Sequence, residues 1–176
     1  MPAWCEAPRT IAREGGRPEV RSIIFAMARS LSFLLVHVVF STKDRVPVLD
    51  EAVRPELYAY LATVVRNNEC ECFRVSGIAD HVHLAIRLNR GANVAGLVAE
   101  LKTSSSKWLK SQSPKLAKFA WQRGYGAFSV GPADLNALIR YIDTQETHHA
   151  KQTFQDEFRV FLKRYGIECE EQYLWD

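Results

Sequence analysis

The hydrophobic positions change period along the chain, and the changes mark out elements. "LSFLLVHVVFST" (31–42) is β-branched and aromatic and predicts a strand. "KDRVPVLD" follows as a loop. Asp50 is placed to cap a helix over 51–67, with Pro55 near its start and Val53, Leu57, Tyr60, Leu61 and Val64 along one side. "NNE" ends it. "CECFRVSGIA" (70–79) and "HVHLAIRL" (81–88) predict two further strands, with Gly77 at a turn or bulge. After "NRGAN" a helix is expected over 93–112, anchored by Leu97, Leu101 and Trp108 and closed by Pro114. "GYGAFSVG" (124–131) predicts a short fourth strand. Pro132 opens a helix over 132–149, and "FQDEFRVFLKRYG" (154–166) reads as a last helix ending at Gly166. The tail "IECEEQYLWD" is expected to dock through Tyr173, Leu174 and Trp175. From Leu31 the order is β-α-β-β-α-β and then two helices. That order predicts an α+β fold: a ferredoxin-like antiparallel sheet with helices on one face, the other face open, and C-terminal helices appended.

At 176 residues the chain holds one domain with a real core. The first 26 residues have no clear period and carry Arg9, Arg13, Arg17 and Arg21, whereas Met27 opens a cleaner pattern. Residues 1–28 are therefore expected to be a disordered extension and 29–176 the domain. The longest apolar run, Phe33–Phe40, is strand length, far short of the roughly 20 residues that span a bilayer. Cys70 and Cys72 form C-x-C with no second pair, and Cys5 and Cys169 stand alone, which argues against a zinc finger or disulfide framework. Reduced thiols in a cytoplasmic protein are the plain reading.

Net charge is only +3, but its distribution is uneven. Between Leu101 and Arg123 lie six basic residues (Lys102, Lys107, Lys110, Lys115, Lys118, Arg123) and no acidic one. Such a block suits a polyanion, or forms a solvated helix face.

The strand 81–88 carries the candidate chemistry. Val82, Leu84, Ile86 and Leu88 take one face; His81, His83, Ala85 and Arg87 take the other. Two imidazoles at i, i+2 stand roughly 6.5–7 Å apart along a strand and can lean onto one metal ion. On the helix expected over 132–149, Leu135, Leu138, Ile139 and Ile142 form the apolar stripe, while Ala137, Tyr141, Gln145 and His148 form a second. Tyr141 and Gln145 lie one turn apart, a site pair or a core-edge tyrosine beside a solvated amide. His37 reads as a hydrogen-bonded sheet histidine. Asp80 either orients His81 or forms a turn.

Taken in order, "FSTKDR", "GIADHVHLAIRL", "KTSSSKWL", "FAWQRGYGAFSV", "YIDTQETHH" and "YLWD" resemble the single-tyrosine HUH transposases of small bacterial insertion sequences and their REP-associated tyrosine transposase relatives. The resemblance covers about residues 31–176. It implies that His81 and His83 are metal ligands, Gln145 a third ligand, and Tyr141 the nucleophile that forms a 5′-phosphotyrosine and frees a 3′-OH. It implies Mg²⁺ or Mn²⁺ as cofactor, single-stranded or hairpin DNA as partner, and a homodimer whose tyrosine helix can serve either subunit. Lys102, Ser105, Lys107, Lys110 and Arg123 would then contact the DNA backbone. Trp108 and Trp121 are stacking or core residues. His148 and His149 are near enough to Tyr141 to take its proton. The competing reading is a domesticated hairpin DNA- or RNA-binding protein without full transposition activity. A barrel hydrolase with an HxH strand needs about 250 residues and is excluded by length.

Overall fold

The computed structural model describes residues 31–146 and 153–168. The expected extension at 1–28, Cys5, Cys169, His148, His149 and the tail at Tyr173, Leu174 and Trp175 lie outside the described residues.

Four strands form a single antiparallel sheet: β1 (Leu34–Ser41), β2 (Glu71–Gly77), β3 (His81–Leu88) and β4 (Gly126–Val130), in the order β2-β3-β1-β4. Each β-α-β crossover thus skips one strand: β3 lies between β1 and β2, and β1 lies between β3 and β4. Helix α1 (Arg54–Asn67) joins β1 to β2, and α2 (Val94–Gln112) joins β3 to β4. Helix α1 begins later than expected. The backbone carbonyl of Asp50 accepts from the amides of Val53 and Arg54, so 51–53 form a turn and Pro55 falls in the first helical turn. Asn93 caps α2, its Oδ1 accepting from the amides of Ala95 and Gly96.

The expected helix over 132–149 is interrupted. A 3-10 turn at Pro132–Asp134 leads into α3 (Leu135–Asp143), which stops at Thr144; its amide and hydroxyl bond back to the carbonyls of Arg140 and Tyr141, and helical backbone resumes at Gln145. Thr153 caps α4 (Phe154–Arg164), and Gly166 takes the left-handed φ of 62° that a helix end favours.

One face of the sheet packs against α1 and α2. Val38, Phe40, Val82, Leu84 and Ile86 meet Leu57, Leu61, Val65, Leu97, Leu101 and Leu109, nearly all excluded from solvent. Trp121 joins this core, its indole donating to Ser105, and Trp108 stacks on Tyr60 at its edge, so both tryptophans are packing residues.

The second face is not open, and this corrects the sequence expectation. Helices α3 and α4 cover it. Val39, Phe128 and Phe154 form a small second core with Phe158 and Phe161. Gly126 makes this approach possible: a Cβ there would lie 2.8 Å from the Phe158 ring and 2.9 Å from Val39. Ion pairs from Arg54 to Glu146 (2.8 Å) and from Arg74 to Asp143 (3.0 Å) tie the end of α3 and the residues after it to α1 and β2. Among the described residues no helix is long and apolar enough to cross a membrane.

Candidate metal and tyrosine site

Strand alternation puts His81 and His83 on the face covered by α3 and α4, and both are fully buried. In the register, Ser41 and Val39 of β1 stand opposite them. His37 is one diagonal step from His83, close enough for a side-chain contact across strands. The start of β3 is fixed by a tight approach. A Cβ on Gly77 would sit 2.2 Å from the His81 carbonyl oxygen, so only glycine lets β2 turn into β3 there.

Each imidazole is oriented from behind. The Nδ1–H of His81 donates to Asp80 Oδ1 at 2.7 Å, leaving the Nε2 lone pair facing inward. His83 Nδ1 lies 2.9 Å from His37 Nε2. Burial lowers the His37 pKa to about 4, so this ring is neutral and can accept the His83 proton. The orienting reading of Asp80 and the sheet-histidine reading of His37 both match these contacts.

The two Nε2 atoms converge on Glu157 of α4. Its Oε2 lies 3.9 Å from His81 Nε2 and 3.7 Å from His83 Nε2. Gln145 supplies a second oxygen, with Oε1 3.5 Å from His81 Nε2, while its amide nitrogen donates to Glu157 Oε1 at 3.3 Å and to the Tyr141 carbonyl at 3.3 Å. Gln145 and Glu157 are buried alongside the histidines. Burial, reinforced by the nearby Asp80 charge, pushes the Glu157 carboxyl up to about 8.

This donor set fits a divalent ion. Donor atoms of His81, His83 and Glu157 lie within 4.8 Å of one another, a spacing that a small shift closes to two bonds of about 2.0–2.2 Å on one ion. Two imidazoles, a carboxylate and an amide oxygen suit a borderline to hard cation. A buried carboxylate also costs several kcal/mol unless a positive charge compensates it, and an ion supplies that charge.

The Tyr141 ring stands edge-on to His83 at 5.8 Å and to His37 at 6.1 Å, within the same chain. The fold therefore brings His81, His83, Tyr141 and Gln145 together. It adds Glu157, which the sequence reading missed. One signal was present: Phe154, Glu157, Phe158 and Phe161 share one helical face, so Glu157 is a carboxylate inside an apolar stripe.

The expected DNA contacts divide. Lys107, Lys110 and Arg123 are exposed. Ser105 is not available: it is fully buried, its hydroxyl donating to the Leu101 carbonyl and accepting from the Trp121 indole. Lys102 folds back, donating to the carbonyls of Gln122, Arg123 and Gly124, and so holds the loop that carries Arg123. Burial lowers its pKa to about 8.

A family model described as transposase IS200-like matches residues 30–145. Among solved structures, a candidate transposase of Deinococcus radiodurans R1 superposes with a TM-score of 0.53 at 22% identity, covering 76% of this chain and 98% of that one. A REP-associated tyrosine transposase bound to a REP hairpin gives a TM-score of 0.52 at 14% identity, covering 66% of this chain and 68% of the other. At these identities the two structures share the fold. No curated protein matches the chain. The family match takes in four strands, both histidines, Tyr141 and Gln145, and with it the chain belongs to the IS200-like transposases.

Proposed function

We propose that the protein cleaves and rejoins single-stranded DNA at hairpin-flanked sites through a 5′-phosphotyrosine on Tyr141, with Mg²⁺ or Mn²⁺ held by His81, His83, Gln145 and Glu157. The observation that carries this reading is the Tyr141 ring beside His83, next to a buried pocket of two imidazole nitrogens and two side-chain oxygens.

The chemistry follows from the groups. The phenol oxygen attacks the scissile phosphorus, a P–O bond forms to Tyr141, and the 3′ oxygen leaves with a proton as a free hydroxyl. A divalent ion at the donor set supplies neutralisation of the phosphate charge. Asp80 and His37 hold the two imidazoles in the required tautomer, and Gln145 holds Glu157 in place. The phosphotyrosine conserves one ester bond, so a second 3′-OH can reverse the step without ATP. Lys107, Lys110 and Arg123 would track the strand backbone. The bound hairpin of the similar REP-associated structure favours a hairpin substrate here. We propose a homodimer as well, although Tyr141 and the four ligand residues already meet within one chain.

The test mixes the full chain with labelled single-stranded hairpin DNA from the gene's own flanks and Mn²⁺, beside a Tyr141→Phe variant. The expected result is a covalent adduct that chelator and the variant both abolish. Tight binding without an adduct on any flank points to the non-catalytic hairpin binder instead.

A further inference from the structure

A cavity of about 320 Å³ opens beside the tyrosine, between the end of β4, α3 and α4. Its inner end is formed by His37, Tyr141 and Glu157, so it is continuous with the site above. It lies at the small end of ligand pockets, with room for one heterocycle and little more.

The walls suit a flat aromatic guest. Phe161 stands edge-on to both His37 (5.2 Å, 77°) and Tyr141 (5.9 Å, 85°). Tyr165 forms the outer wall and is held from two sides: its hydroxyl donates to the Ser129 carbonyl at 2.7 Å, and its ring stacks on Phe128 at 4.9 Å. Tyr165 is 39% exposed although its hydroxyl and ring are both held, so it offers a fixed apolar surface to solvent. Two charged side chains of opposite sign, Asp134 and Arg164, also line the cavity, and among the described residues neither is in an ion pair.

We propose that this cavity is a nucleobase pocket, receiving the base that flanks the scissile phosphate and preferring guanine. The inference rests on the DNA-cleaving role proposed above. A strand whose phosphate reaches Tyr141 has its neighbouring base within one nucleotide of the cavity mouth. Aromatic walls stack on any base, which gives affinity without sequence. The rim gives the choice: guanine offers N–H donors on one edge for Asp134 and the O6 and N7 acceptors for Arg164, whereas thymine has no amino group for the carboxylate.

The experiment compares binding of an oligothymidine strand with the same strand carrying one central guanine, adenine or cytosine, measured by fluorescence anisotropy on the full chain. The guanine strand is expected to bind about tenfold tighter than oligothymidine, the discrimination of one base-edge hydrogen-bonding pair. Asp134→Asn, at an exposed position, should bring the guanine and oligothymidine strands within about twofold of each other. Ala137→Phe, one turn before Tyr141 and equally exposed, fills the cavity; it should also remove the guanine preference and, because the walls stack on any base, weaken oligothymidine binding as well, whereas Asp134→Asn should not weaken oligothymidine binding. Equal binding of all four strands, or a guanine preference that survives both variants, overturns the pocket. Because binding is read without cleavage, the two proposals separate. An adduct on the gene's flanks with no base preference removes only the pocket, and a base preference with no adduct removes only the covalent reaction.

Discussion

The two faces of the sheet obey different rules. The face under α1 and α2 is built almost wholly from apolar side chains, aliphatic with a few aromatic, that fill space; Leu57, Leu61, Leu84 and Leu101 are all fully excluded from water. The face under α3 and α4 is equally buried but holds His37, His81, His83, Gln145 and Glu157. The first face stabilises the fold through burial at about 25 cal/mol per Å². The second gives up part of that gain to keep polar groups dry and oriented. The same strands build both, since alternate residues of β1 and β3 point in opposite directions. A protein can therefore place a reactive site on the back of its own core without lengthening the chain.

This contrast can be broken by substitution. His83→Ala should lower adduct formation by well over a hundredfold, more than loss of an outer-shell partner costs, while costing about 1–3 kcal/mol of stability without metal, because buried His37 loses its hydrogen-bond partner. If that variant unfolds, the histidine face is structural and the contrast fails. On the other face, Leu84→Ala should cost about 2–5 kcal/mol in urea unfolding and leave divalent-ion affinity of the folded fraction unchanged.

Glu157 sharpens the comparison through pH. Its carboxyl is raised to about 8 from an ordinary value of 4.5, mainly by burial. Between those values the folded chain keeps a proton that the unfolded chain has released. In chelator, stability should thus fall as pH rises from about 5 to 8, by at most a few kcal/mol. Glu157→Gln should flatten that slope in thermal melts across the range. Mn²⁺ should restore stability at pH 8 in the parent and much less in the variant. A parent slope that persists in Glu157→Gln would assign the effect to another group.

Smaller effects probe the basic segment. Ser105→Ala should cost about 1–3 kcal/mol of stability, because the buried Trp121 indole loses its acceptor. Lys107→Ala should leave stability alone, weaken single-strand binding modestly and lower the salt slope by about 0.7. A binding loss from Ser105→Ala at unchanged stability would reverse that division.

The element order was legible because each strand and helix carries its own period. The i, i+2 histidines announced a shared face, and Tyr141 and Gln145 announced theirs. The break at Thr144 was not legible, since the stripe of Ala137, Tyr141, Gln145 and His148 keeps its helical spacing through it and the interruption goes with Thr144 bonding to preceding carbonyls. Nor was the burial of Ser105: "KTSSSKWL" reads as a polar, basic helix, yet one of its three serines faces Trp121.

The sequence by itself determined which residues share a face, because periods of 2 and 3.6 are local properties of the backbone. It determined the antiparallel α+β framework and, through the ordered motifs, the family. Only the tertiary structure decided that the histidine face is covered, that Glu157 arrives there 74 positions after His83, and that Lys102 serves a loop. Those outcomes depend on how α4 and the 122–124 loop fold back across the sheet. A fold-back is set by packing between segments distant in sequence, and no local pattern records it.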